Sequence, residues 1–193
     1  MKFVLIPAEG CQWHEAGRLL GRVALPLSEE GEQQCDRWAE GLRALGIVTI
    51  YHGGDDLSQA TARRIAKAIG ATARSNERLR EVDLGLWSGL TDTELKSRFG
   101  TAWRQLGEAP LSVCPPEGEP FSAAADRLGS ALHKALRRNG KGPVAFVLRP
   151  LAFALARCAL RGEGMSDVYE LAQGGHEPIA MDADALPATA GKP

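Results

Sequence analysis

Apolar residues along this chain fall into two alternating patterns, short continuous runs and longer stretches at helical spacing. The runs Lys2–Ile6, Ile47–Tyr51 and Pro143–Leu148 are rich in β-branched and aromatic side chains. They predict three strands buried on both faces of a parallel sheet. Between them, Cys35, Trp38, Ala39, Leu42 and Leu45 predict one helix face. Ser28 supplies its N-cap, Glu29 and Glu30 its acidic first turn, and Gly46 its end. A second helix is expected from about Leu57 to Ile69, after the glycine-containing turn His52–Asp56. Thr91–Phe99 reads as a short helix capped by Thr91. Ser122–Arg138 reads as a long one, with Ala125, Leu128, Ala131, Leu132 and Ala135 at helical spacing and Asn139, Gly140 and Gly142 closing it. Leu151–Leu160 is a buried helix. The chain from residue 7 to Leu27 and from Ala109 to Pro120 reads as loop, and Arg78–Leu86 as part extended, part loop.

Strands alternating with helices imply a three-layer α/β/α sandwich around a mainly parallel sheet. An insertion near residues 85–120 is expected to cover the strand ends. One domain is expected to run to residue 182, followed by a frayed tail over 183–193. In such sheets ligands gather beyond the carboxyl ends of the strands. Those ends are Pro7-Ala8-Glu9, His52-Gly53-Gly54 and Arg149-Pro150.

Composition narrows the function classes. The 193 residues are 44% hydrophobic and 24% charged with a formal net charge of -1, so the totals favour neither nucleic acid nor an anionic membrane as partner. No apolar run approaches the ~20 residues of a membrane span. The opening residues read as a first strand rather than a signal peptide, and a cytoplasmic location is expected. Cys11, Cys35, Cys114 and Cys158 contain no CxxC pair, so neither a metal site nor a redox motif is expected, and no cofactor is implied. Cys35 and Cys158 fit small core positions.

The strand ends also carry a family resemblance. Strand Phe3–Ile6 runs into Pro7-Ala8-Glu9-Gly10-Cys11, followed by Trp13, Gly17-Arg18, Gly21 and Pro26-Leu27-Ser28-Glu29-Glu30-Gly31. Leu79-Arg80-Glu81, Gly85, Trp87 and Gly89 follow. Pro116-Glu117-Gly118-Glu119 then precedes the long helix, and a final strand and helix complete the order. Together these resemble the histidine phosphatase (phosphoglycerate mutase-like) superfamily over residues 2 to about 162. The resemblance implies the fold expected above. It also implies a histidine nucleophile at the position of Ala8, a phosphate-holding arginine at Pro7, a second arginine at Leu57, a second histidine at Arg149 and an asparagine at His14. Only Glu81 stands unchanged, at the position of the family's proton-donating carboxylate.

Those departures remove the family's chemistry as the resemblance describes it. Alanine has no lone pair with which to attack, and arginine stays protonated at any usable pH. Pro7 and Leu57 carry no charge for a phosphoryl group. The chain is therefore expected to be a pseudophosphatase, a ligand- or partner-binding or regulatory module. Its pocket is expected to comprise Pro7, Ala8, His14, Arg18, His52, Leu57, Glu81 and Arg149. Two alternatives stand beside it. One is a hydrolase of altered mechanism using Glu81 with His14, His52 or Cys11; the other is a structural subunit, a homodimer or the silent partner of an active paralogue. Glu81 is expected to pair with Arg149; alternatively Arg149 and Arg18 hold a small anion. His133 and His176 read as ordinary surface or packing residues. Trp38 reads as core, Trp13 and Trp87 as loop supports, and Trp103 as buried within the insertion.

Overall fold

The computed structural model describes residues 2–138, 142–161 and 164–182. Its five strands are β1 (Lys2–Pro7), β2 (Thr49–His52), β3 (Thr72–Ser75), β4 (Val144–Leu148) and β5 (Ile179–Asp182), ordered β3-β2-β4-β1-β5. The first four are mutually parallel and β5 runs antiparallel to β1. The helices are α1 (Gln12–Glu15), α2 (Glu29–Leu42), α3 (Asp56–Ile69), α4 (Asp92–Arg98), α5 (Gly100–Glu108), α6 (Phe121–Arg138), α7 (Pro150–Arg161) and α8 (Val168–Gln173).

Alternation along the strands sorts the core into two layers. Phe3, Leu5, Phe146 and Leu148 face α6 and α7. Val4, Ile6, Ala145 and Val147 face α2 and α3. This is the three-layer α/β/α sandwich read from the sequence. On the first face Phe146 meets Phe3 edge-on at 5.9 Å and stacks on Tyr51 at 5.7 Å, which ties the three central strands together.

The caps behave as the sequence implies. Ser28 accepts from the Gly31 amide at 3.1 Å, and Thr91 with Glu94 closes a capping box on α4. Asp55, expected only as part of a turn, caps α3 by accepting from the Ser58 amide at 3.0 Å.

Several expectations are corrected. β2 starts at Thr49 rather than Ile47, because Val48 is 50% exposed and its amide is bonded to Pro143 before the sheet begins. Arg78–Leu86, read as part extended and part loop, begins within the 3₁₀ turn Glu77–Leu79, continues as loop and enters a second such turn at Gly85–Trp87. Strands β3 and β5 and helices α1, α5 and α8 were not expected. β3 is an edge strand whose residues are mostly exposed, so no apolar pattern marks it. The insertion is α4, α5 and a 3₁₀ turn packed on the α6 side of the core. It is pinned where Leu86 donates to the Pro116 carbonyl and Glu119 to that of Asp83. Gly85 sits there with φ 47°, and a Cβ would stand 2.1 Å from the Pro116 oxygen, so only glycine fits. The expected tail lies outside the described residues.

Candidate functional site

β1 and β4 end side by side. Pro7 pairs with Leu148, and the Ala8 amide donates to the Leu148 carbonyl at 2.8 Å. Beyond them the side chains are a fully buried Ala8 methyl and Arg149, only 1% exposed. Leu57, in the first turn of α3, is fully buried. Arg149 Nη1 donates to the Val23 carbonyl at 2.9 Å and lies 3.4 Å from Asp55 Oδ1. Its Nε and Nη2 find no acceptor among the described residues.

The expected Glu81–Arg149 ion pair is not formed, because the Glu81 carboxylate is already occupied. Its Oε1 accepts from the amides of Val82 at 2.7 Å and Ala152 at 2.8 Å, and its Oε2 from that of Leu151 at 2.9 Å. The latter two are free N–H groups of the first turn of α7, where the helix dipole favours an anion. Burial pushes the Glu81 carboxyl above its ordinary range, with Arg149 and then the three amides pulling less strongly the other way.

The main chain at Glu81 is held as firmly as its side chain. Arg22 Nε donates to the Glu81 carbonyl at 3.0 Å and Nη1 to Asp83 at 2.9 Å. Arg127 donates to the carbonyls of Arg78 and Arg80, both at 2.9 Å. Glu119 bridges the two guanidinium groups. The sequence reading noted Glu119 only as part of a loop motif and did not single out Arg22 or Arg127.

The remaining candidates do not form one pocket: His14 and Arg18 edge the same narrow crevice as Glu81, whereas His52 and Cys11 do not line it. Arg18 donates to the Gly89 carbonyl at 2.6 Å and to Glu94 at 3.4 Å, and no bond joins it to Arg149. His52 is buried with Nδ1 turned onto the Gly53 carbonyl of its own loop. Cys11 is buried, and desolvation pushes its thiol up despite the His14 amide and Arg149. His14 Nε2 lies 3.8 Å from Glu9 Oε2; burial lowers its pKa, opposed first by Glu9.

Two further buried groups meet beside the end of β1. Glu9 is buried, accepting from the His176 amide at 2.7 Å and meeting His176 Nδ1 at 2.9 Å. His176, which reads in the sequence as an ordinary surface or packing residue, is buried and packs on Phe153 at 4.8 Å. A carboxylate directly after a buried strand end needs a partner, and that was the available signal. Of the tryptophans, Trp38 and Trp87 are buried, Trp13 lies under Gly89, and Trp103 is only half-buried, with its indole N–H on Asp92 at 2.9 Å.

Little room is left between these groups. His14, Arg18, Glu81, Leu151 and Gln173 line a crevice of about 10 Å³, the space of about one water. A cleft of about 610 Å³ lies on the outer side of Cys11, but Glu15, Glu29 and Glu30 line it and oppose an anion. No cluster of His, Cys, Asp or Glu suited to a metal ion occurs among the described residues, and no described helix is long and apolar enough to cross a membrane.

The mainly parallel sheet between two helical layers, with Glu81 capping α7 beyond the strand ends, makes this an α/β sandwich with its candidate site at the carboxyl ends of the strands. The family model of the histidine phosphatase superfamily (branch 1) matches residues 10–180, and the chain belongs to that family. The match begins just after Pro7, Ala8 and Glu9. Phosphoserine phosphatase 1 of Hydrogenobacter thermophilus is 26% identical over 88% of this chain and 80% of its own length. A probable phosphoglycerate mutase of Citrobacter koseri is 32% identical over 65% of this chain and 58% of its own. Among solved structures, mycobacterial glucosyl-3-phosphoglycerate phosphatase superposes with a TM-score of 0.80 at 22% identity, covering 93% of this chain and 90% of that one. That last likeness concerns the fold.

Proposed function

We propose that this chain is a non-catalytic member of its family, a ligand- or partner-binding module on a phosphatase scaffold. One observation carries the reading: where β1 and β4 end together, the buried side chains are Ala8 and Arg149. Neither offers an imidazole nitrogen in line with a leaving oxygen. Arg149 cannot shuttle a proton, because a guanidinium does not deprotonate at usable pH. Leu57 offers no cation to phosphoryl oxygens, and removing even one such contact costs on the order of 10²–10³ in rate. The Glu81 carboxylate, the family's proton donor, is engaged by three amides.

A second reading has one observation in its favour. His14 and Glu81 line the same crevice, and burial keeps the His14 imidazole neutral at pH 7, the form a general base requires. The crevice is too small for a phosphoryl group, so this reading requires α1 to move. Turnover of p-nitrophenyl phosphate by the wild type, Glu81→Gln and His14→Gln separates the two. The proposal expects identical background rates from all three; wild-type turnover abolished in either variant would overturn it.

A further inference from the structure

We propose that a cleft between β3 and α6 binds a small polyanion, of the class of organic phosphates carrying two or more negative charges. The cleft has a volume of about 310 Å³ and lies at the edge of the sheet. Three cations line it: Arg78 from the turn after β3, and Lys134 and Arg138 one turn apart on α6. Ser75, Asn76 and Ser130 add hydroxyl and amide donors; Asn76 Oδ1 already accepts from the Arg78 amide, which leaves its NH₂ free to donate. Arg74, the register partner of Tyr51, points to the same face as that lining residue.

Two features separate this cluster from a merely solvated basic surface. No carboxylate among the described residues lines the cleft, although the chain carries 24 acidic residues and a net charge of -1. None of the three cations has an ion-pair partner among the described residues, whereas Arg127, two turns earlier on α6, is engaged by carbonyls and by Glu119. The dipole at the end of α6 accounts for cations in its last turns. It does not account for Arg78, which faces them from another element. Like charges gathered around a concavity repel one another, and a bound anion relieves that repulsion. Guanidinium forks and hydroxyl donors match phosphoryl oxygens. The volume suits a small molecule, at the lower end of ligand clefts. The inference is independent of whether the strand-end site is catalytic.

The test is calorimetric titration of the full chain with sodium pyrophosphate at low and physiological salt. Saturable binding of one pyrophosphate per chain is expected, weakening as salt rises. Lys134→Gln combined with Arg138→Gln should weaken it by about tenfold or more. Arg63→Gln combined with Lys67→Gln removes the same charge from the exposed side of α3 and should change it by less than about twofold. Arg78→Gln should reproduce the loss from the opposite wall. Absence of saturable binding, equal weakening by the control pair, or loss with Arg149→Met instead would each overturn the assignment. Binding of a single-stranded oligonucleotide but not pyrophosphate would overturn the ligand class.

Discussion

Glu81 and Arg149 are both ionisable, both almost fully buried and both placed at the start of α7, yet their surroundings differ. Glu81 has an acceptor bond for each of three local amides, and two arginines and Glu119 fasten its main chain. Arg149 keeps one bond to a carbonyl and a longer contact to Asp55, with two donors unmatched within the described chain. The carboxylate sits in a place the fold makes for it, at the start of α7. The guanidinium is only partly satisfied where it sits, by Val23 and Asp55. A buried charge of the first kind is structural whatever the chemistry; one of the second kind is tolerated.

Substitutions should expose that contrast. The largest effect is expected from Glu81→Ala, which leaves three buried amides without an acceptor. At ~1–3 kcal/mol for each unsatisfied donor, urea unfolding should show a loss of roughly 3 kcal/mol or more. Arg149→Met should be neutral or stabilising, within the ~1–4 kcal/mol seen when buried ions give way to apolar groups. If Arg149→Met costs as much as Glu81→Ala, the contrast fails.

A smaller effect comes from His14, whose folded pKa is depressed by burial. The unfolded chain takes up this proton first as pH falls below its ordinary value of about 6.5, so the His14 contribution is to lose stability from there down to the folded pKa and to level off beneath it. Melting temperatures across that window should fall less steeply in His14→Gln. The smallest effect is chemical. Cys114 is exposed while Cys11, Cys35 and Cys158 are buried, and burial raises Cys35 to about 11, so iodoacetamide should modify Cys114 alone in the folded chain. Fast labelling of Cys11 would revive it as a nucleophile.

The sheet's centre was legible because β1 and β4 are buried on both faces and written as unbroken apolar runs. The long helices were legible from their stripes. β3 carries no such signal, and α5 buries only Leu106, so neither announces itself. Ala8 and Arg149 stand just past the ends of β1 and β4, where the apolar runs stop in the sequence, and Leu57 lies in the first turn of α3. Which partner Arg149 chose was not legible. That depended on Val23 and Asp55, which are 126 and 94 residues away along the chain. The Glu9–His176 contact spans 167 residues through a strand too short to read, β5, and was missed for the same reason.

The central claim is that no histidine in this chain takes up a phosphoryl group. The most direct measurement is phosphorus NMR of protein denatured in alkali after incubation with excess p-nitrophenyl phosphate, where a phosphohistidine survives. The account predicts no phosphoramidate signal from the wild type. A signal that disappears in His14→Gln, His52→Gln or His176→Gln would contradict it and identify the nucleophile.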